Sequence, residues 1–137
     1  MLARLTILIA LALPMTGIGL SVHAYNYAEG HESYVSKNYY KAFRQWYVLA
    51  RKGNAKAKVK LARLLIEGKI ESAKKSEAHR YLKEIEDENL SEADYLWGVI
   101  YRDGLGAEPN QKKAIEFFQK CAEKDNAECS KALVLIL

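Results

Sequence analysis

Apolar residues recur at helical spacing along most of the chain, and polar or turn-forming residues interrupt them at regular places. No segment alternates between apolar and polar residues over the length of a strand. Gly53, Gly68 and Gly104 stand where a helix should stop, because glycine adopts the left-handed C-cap conformation at little cost. The pattern predicts an all-α fold. The predicted helices are residues 27–36, 39–52, 55–67, 76–87, 91–102 and 111–124, and a last one that begins at residue 127.

Similar residues return every thirty-six positions. Ala42, Ala78 and Ala114 are equivalent in this register, and a large apolar residue follows each of them four places on. A period of roughly 20 to 50 residues is typical of solenoids, whose units bury their apolar faces only against one another. The predicted units are residues 25–54, 55–90 and 91–126, followed by a terminal helix at 127–137.

Small residues indicate where the two helices of a unit approach each other. The second helices carry Ala42, Ala78 and Ala114 at this place. Short side chains at a helix crossing let the two backbones come close, and larger neighbours then fill the gaps between units. The facing positions on the first helices are predicted to be Gly30, Ala62 and Gly98. The predicted gap-filling residues are Trp46, Leu65, Leu82, Tyr101 and Phe118.

The repeat pattern resembles the SEL-1-like repeat of the tetratricopeptide superfamily. The third unit carries it most fully, in Ala93, Trp97-Gly98, Tyr101, Gly104-Leu105-Gly106, Lys113-Ala114, Phe118, Cys121-Ala122 and Ala127. The first unit is about four residues shorter between its helices, and the second departs from the pattern at Ile70, Glu86 and Asn89. The resemblance implies a right-handed α/α solenoid of about three helical hairpins plus a terminal helix.

The resemblance also implies a concave face that is lined by the first helices and binds a partner. Aromatic residues and arginines in such a row are typical of binding hot spots. Each of these residues is also compatible with an ordinary place on the surface or at the edge of the core. The implied positions are Tyr27, His31, Tyr34, Val59, Arg63, Ile66, Tyr95, Val99 and Arg102.

The chain has two cysteines, Cys121 and Cys129. In an oxidising compartment a close pair is read as a disulfide, and two thiols alone do not complete a zinc site. The spacing is similar to that of cysteine-rich secreted SEL-1-like proteins, in which a disulfide ties the second helix of one repeat to the first helix of the next. Here it would hold the very apolar last helix, which either caps the core or meets a partner.

The N-terminal stretch follows the pattern of a signal peptide. Arg4 precedes an apolar run at residues 5–13, and small residues lead to Ala24. Pro14 interrupts the apolar run, so cleavage after Ala24 is favoured over retention as a membrane anchor. The prediction is a signal peptide at residues 1–24 and a periplasmic or secreted protein with no stable membrane span.

The charges of the 137-residue chain are nearly balanced, with a formal net charge of +4. Such a small excess argues against a nucleic-acid partner. Two local runs stand out and are either solvated helix faces or electrostatic docking patches. The basic run is Arg51, Lys52, Lys56, Lys58, Lys60 and Arg63, and the acidic run is Glu84, Glu86, Asp87 and Glu88.

Motifs for catalysis are missing from the sequence. It has no glycine-rich phosphate loop, no histidine pair at metal spacing and no nucleophile beside an evident base. We therefore predict a non-enzymatic adaptor or scaffold that needs no cofactor or metal and binds an envelope, secretion or toxin component as a monomer or weak oligomer. The alternatives are an inhibitor or immunity protein against a secreted toxin, and weak action on cell-wall or β-lactam substrates, which the resemblance to the cysteine-rich proteins implies.

Overall fold

The computed structural model describes residues 25–137, and within them it contains seven α-helices, one 3₁₀ turn at Glu86–Glu88 and no strand. The predicted signal peptide lies outside the described residues. The all-α prediction is confirmed. The helices are α1 (Tyr27–Val35), α2 (Tyr39–Arg51), α3 (Ala55–Ile66), α4 (Ser76–Lys83), α5 (Ser91–Asp103), α6 (Gln111–Ala122) and α7 (Ala127–Ile136).

Asparagine side chains begin five of these helices. In each case the side-chain oxygen accepts a hydrogen bond from a backbone N–H of the first turn, a group that has no partner inside the helix. In the thirty-six-residue register, Asn38 and Asn110 are equivalent residues that precede second helices. Asn54 and Asn126 are equivalent residues that precede first helices, and Leu90 occupies the same position in the repeat between them. The capping residues are Asn26, Asn38, Asn54, Asn110 and Asn126.

The second unit is the irregular one. Its helix α4 starts without a side-chain cap and ends at Lys83, four residues before the predicted end. Ile70 is buried where the third unit has Gly106 in a left-handed conformation, so the loop before α4 follows a different path. Asn89 has a φ of 52° and replaces glycine in the turn that precedes α5. The departures noted in the sequence therefore change loops and a helix length, and leave the helix order intact.

Each helix packs against the next along the chain, and α3 also packs on α5. The 3₁₀ turn lies between α4 and α5. Helices α1, α3, α5 and α7 are the first helices of successive units, whereas α2, α4 and α6 are the second helices. This arrangement is an open stack in which every unit shares its apolar interior with its neighbours.

Equivalent positions have equivalent surroundings in the three units. Ala42, Ala78 and Ala114 are all fully buried, as are the large residues four places after them. A Cβ added to Gly30 would lie 2.3 Å from Nε1 of Trp46, and one added to Gly98 would lie 2.4 Å from Cε1 of Phe118. In the first and third units, the first helix therefore needs glycine at this position because an aromatic ring of the second helix lies directly on its backbone.

Cys121 in α6 and Cys129 in α7 are fully buried and at disulfide distance, with their Cα atoms 5.8 Å apart. This pair fixes one side of α7 to the core. The other side is open to solvent at Val134, Leu135 and Leu137. None of the helices within residues 25–137 combines the length and apolar character needed to cross a membrane.

We expect Gly98→Ala to lower the free energy of unfolding by about 1–3 kcal/mol, because the new methyl group overlaps the ring of Phe118. The second unit pairs Ala62 with Leu82 at the equivalent positions, so adding Phe118→Leu should recover part of this loss. Urea denaturation of the two single variants and the double variant measures the coupling. Strictly additive effects would contradict the proposed contact.

We expect reduction of the Cys121–Cys129 pair to lower the free energy of unfolding by roughly 2–3 kcal/mol, because a short closed loop restricts the unfolded chain. Thermal melting with and without reductant measures the effect. The double variant Cys121→Ala and Cys129→Ala serves as the control and should melt at the same temperature in both buffers. A wild-type midpoint that does not respond to reductant would argue against the bond.

Candidate functional site

The nine predicted site residues divide into two groups in the structure. Six of them are half-buried or exposed, namely Tyr27, His31, Tyr34, Arg63, Tyr95 and Arg102. The other three, Val59, Ile66 and Val99, are only 2%, 8% and 6% exposed and belong to the core. Helices α3 and α5 pack against neighbours on both sides, and this packing covers positions that an isolated hairpin would leave open. The accessible part of the predicted row is therefore limited to the six half-buried or exposed residues.

Arg63 lies at the centre of the side formed by the first helices. Its Nε donates to Oε1 of Glu92 in α5 at 2.6 Å. Its Nη1 and Nη2 donate to Oε1 and Oε2 of Glu128 in α7 at 3.1 and 2.8 Å. A two-point contact of this kind fixes both the position and the plane of the guanidinium group. One arginine on α3 thus ties together the first helices of three units.

Further polar contacts extend this arrangement in both directions. Lys60 Nζ donates to both carboxylate oxygens of Glu92 at 2.8 Å. The Tyr34 hydroxyl on α1 donates to Oε2 of Glu67 at 2.7 Å, and Glu67 also forms an ion pair with Arg63 at 3.5 Å. We call this connected set the charged row, and it reaches from α1 to α7. Its members are Tyr34, Lys60, Arg63, Glu67, Glu92 and Glu128.

Tyrosine rings border the charged row. The Arg63 guanidinium lies 5.3 Å from the centre of the Tyr95 ring, a cation–π contact. Tyr34 and Tyr27 each pack against Trp46, with ring centres 6.0 and 6.1 Å apart. Trp46 itself donates from Nε1 to the carbonyl of Tyr27 at 3.2 Å. The tyrosines are therefore held by aromatic residues of the core and remain half-buried.

The pKa shifts in the charged row preserve its charges. Burial on its own would raise the pKa of the Glu92 carboxyl, but Lys60 and Arg63 hold it below its ordinary value. Glu128 and Glu92 raise the pKa of Arg63 despite the burial of its guanidinium group. Burial and the hydrogen bond to Glu67 raise the pKa of Tyr34 well above its ordinary value. At neutral pH Glu92 and Arg63 therefore stay ionised, and Tyr34 stays protonated.

Two open cavities flank Arg63. One, of about 430 Å³, lies toward α1 and α7 and is lined by residues that include His31, Tyr34 and Glu128. The other, of about 420 Å³, lies toward the end of α5 and includes Tyr95 and Arg102. Within residues 25–137 no group of three or more His, Cys, Asp or Glu side chains is placed to hold a metal ion. The linings offer ionic groups, hydroxyls and aromatic rings, and the second cavity adds aliphatic side chains. These groups together suit the side chains and backbone of a polypeptide.

The site residues predicted from the sequence did not include the carboxylates of the charged row. Glu92 and Glu128 are separated by the same thirty-six residues as the alanines, so both stand near the start of a first helix. Arg63 and Glu67 lie one helical turn apart, and Lys60 precedes Arg63 by three residues. The sequence shows this periodic placement, but nothing in it indicates that the Arg63 side chain contacts glutamates of two other units.

Comparison with known proteins agrees with the repeat that the structure shows. The family model for the Sel1 repeat matches residues 17–54 and 91–126. The chain belongs to the Sel1 repeat family. The matched ranges omit the second unit, where α4 is short and the loop differs. Sel1 repeats generally mediate protein–protein interactions.

A solved structure shares the fold. The crystal structure of a Sel1 repeat protein from Oxalobacter formigenes is similar over 79% of this chain, with a TM-score of 0.66 and 21% sequence identity. The match covers 44% of that protein, so this chain spans less than half the length of its structural neighbour. No curated protein matches the sequence.

We expect Glu92→Gln to lower the free energy of unfolding at pH 7 by about 1–3 kcal/mol, because Lys60 and Arg63 lose a charged acceptor. The contribution of Glu92 is complete above its ordinary pKa of 4.5 and is lost as the pH falls below that value, since its pKa is lower in the folded state. Urea denaturation between pH 7 and pH 3 should show the gap between wild type and variant closing. Glu116→Gln, at an exposed site on α6, is the matched control and should show no such gap.

Proposed function

We propose that this Sel1 repeat protein is an exported adaptor or scaffold that binds a partner protein along the side formed by its first helices. The observation that carries the proposal is the charged row, which connects α1, α3, α5 and α7 into one continuous polar surface around Arg63. A surface built across several repeats is the kind that solenoids offer to an extended or helical segment of another protein.

The internal contacts of the charged row favour binding because they fix its side chains in advance. Arg63 is held at three carboxylates and one ring, so little conformational freedom remains to be lost on association. Tyr34 is held by Trp46 and Glu67, and Tyr95 is held by Phe118 and Arg63. Tyrosine and arginine are the residue types that most often dominate interface energies.

The exposed rim of this surface supplies groups for a partner to contact. His31 on α1 and Arg102 on α5 are exposed at the edges of the two cavities. Val59, Ile66 and Val99 are almost fully buried behind these residues, and Ile66 and Val99 line the cavity that includes Arg102. The expected ligand is a polypeptide segment that lies across the first helices and exchanges polar contacts with the rim.

Export to the periplasm or the cell exterior is part of the same proposal. It is supported by the signal-like sequence at residues 1–24 and by the two cysteines placed at disulfide distance. The proposed partner is accordingly a protein of the envelope, of a secretion system or of a toxin system.

A photo-crosslinking amino acid placed at His31 should capture a partner in the native compartment. The same amino acid at Lys112, which is exposed on α6, is the matched control and should not. Introducing Arg102→Glu together with the crosslinker at position 31 should reduce capture severalfold, because the rim loses a cation that the partner contacts. Equal capture from positions 31 and 112 would contradict binding on the side of the first helices.

A further inference from the structure

The outer side of α2 carries a second surface that the charged row does not use. Tyr40, Arg44, Tyr47 and Arg51 follow one another at intervals of four, three and four residues, and all four are exposed. Such intervals place them on one face of the helix. We call this set the Tyr/Arg stripe. Tyr40 and Tyr47 are 57% and 38% exposed, whereas Trp46, on the opposite face of α2, is completely buried.

The Tyr/Arg stripe is strongly one-sided in charge. Helix α2 contains no acidic residue. Arg44 and Arg51 form no ion pair with any residue that the structure describes between 25 and 137. Lys41, the other cation of α2, is paired with Glu29 at 2.9 Å. Two arginines are thus presented to solvent between tyrosine rings.

Shallow cavities lie on both flanks of the stripe and add to its positive charge. One, of about 250 Å³, is lined by Tyr25, Lys41, Arg44 and Gln45. The other, of about 290 Å³, joins Tyr47 and Arg51 to cations of the second unit, Lys58 and Arg80. The stripe is therefore the centre of a broader basic surface that spans α2, the beginning of α3 and the last turn of α4.

The chain itself shows which ligand group this surface accepts. In the second cavity the Glu84 carboxylate lies between two cations, 2.9 Å from Lys58 Nζ and 3.0 Å from Arg80 Nη1. Arg80 also lies over the ring of Tyr81 at 4.5 Å. A carboxylate held by a lysine and an arginine beside tyrosine rings is thus already present here. Arg51 lines the same cavity and stays available to a second carboxylate.

We propose that the Tyr/Arg stripe docks an acidic segment of a partner protein, separately from the side formed by the first helices. Carboxylates of the segment pair with Arg44 and Arg51, while its backbone and aliphatic carbons pack on Tyr40 and Tyr47. The side chains of the stripe end in hydroxyl and guanidinium groups, and none of them is a large aliphatic group that could insert into lipid. This composition favours a protein over a membrane as the binding partner. The basic run noted in the sequence contributes Arg51 and Lys58 to this surface.

Fluorescence anisotropy with a labelled short poly-L-glutamate peptide at low ionic strength tests the proposal. Wild-type protein should bind, and the double variant Arg44→Gln and Arg51→Gln should bind about tenfold more weakly, the loss expected for two exposed ion pairs. The double variant Lys112→Gln and Lys131→Gln removes the same charge from exposed sites on α6 and α7 and should change affinity by less than about threefold. Tyr40→Ala should weaken binding severalfold without any change in charge.

Each contrary result overturns the inference. No binding by the wild type, or equal losses in the two double variants, would mean that the stripe is no more than a solvated helix face. Tighter binding to phosphatidylglycerol vesicles than to the peptide, lost in the same arginine variant, would assign the stripe to a lipid surface. All substituted side chains are exposed, so circular dichroism should confirm an unchanged fold. Crosslinking from position 31 is an independent measurement and tests only the side formed by the first helices.

Discussion

The close approach of the two helices within each unit is the constraint on which the rest of the structure depends. Glycine or alanine on the first helix leaves room for the large residue of the second helix, and at Gly30 and Gly98 even a methyl group would overlap an aromatic ring. Interiors packed this densely do not absorb an extra atom without a shift of the backbone. The spacing fixed by this contact sets the stacking of the units, and stacking in turn sets which side chains remain outside.

Stacking places different chemistry on the two sides of the solenoid. On the side of the first helices, charges from successive units meet and neutralise one another around Arg63. On the outer side of α2, the arginines of the stripe have no acidic residue on their own helix and stay uncompensated. A chain with nearly balanced charge therefore presents one rigid, paired surface and one basic surface, because the helical register decides which charges face each other.

The irregular second unit shows how much local variation this arrangement tolerates. Its second helix is short, starts without an asparagine cap and follows a loop in which Ile70 is buried. Ala62 and Leu82, which are equivalent to Gly98 and Phe118, are nevertheless both fully buried in the core. Loops and caps adjust the ends of helices, whereas the shared apolar interior holds the units in register.

The sequence by itself determined the helix order, the unit length and the buried alanines, because a period of thirty-six residues and a helical apolar pattern are local properties of the chain. Only the tertiary structure decided which of the predicted site positions stay accessible and which side chains pair with them. Val59, Ile66 and Val99 became core residues through packing on both sides, and the carboxylates that hold Arg63 come from two later units. Contacts between side chains distant in sequence depend on how units stack, and a repeat pattern gives their spacing without their orientation.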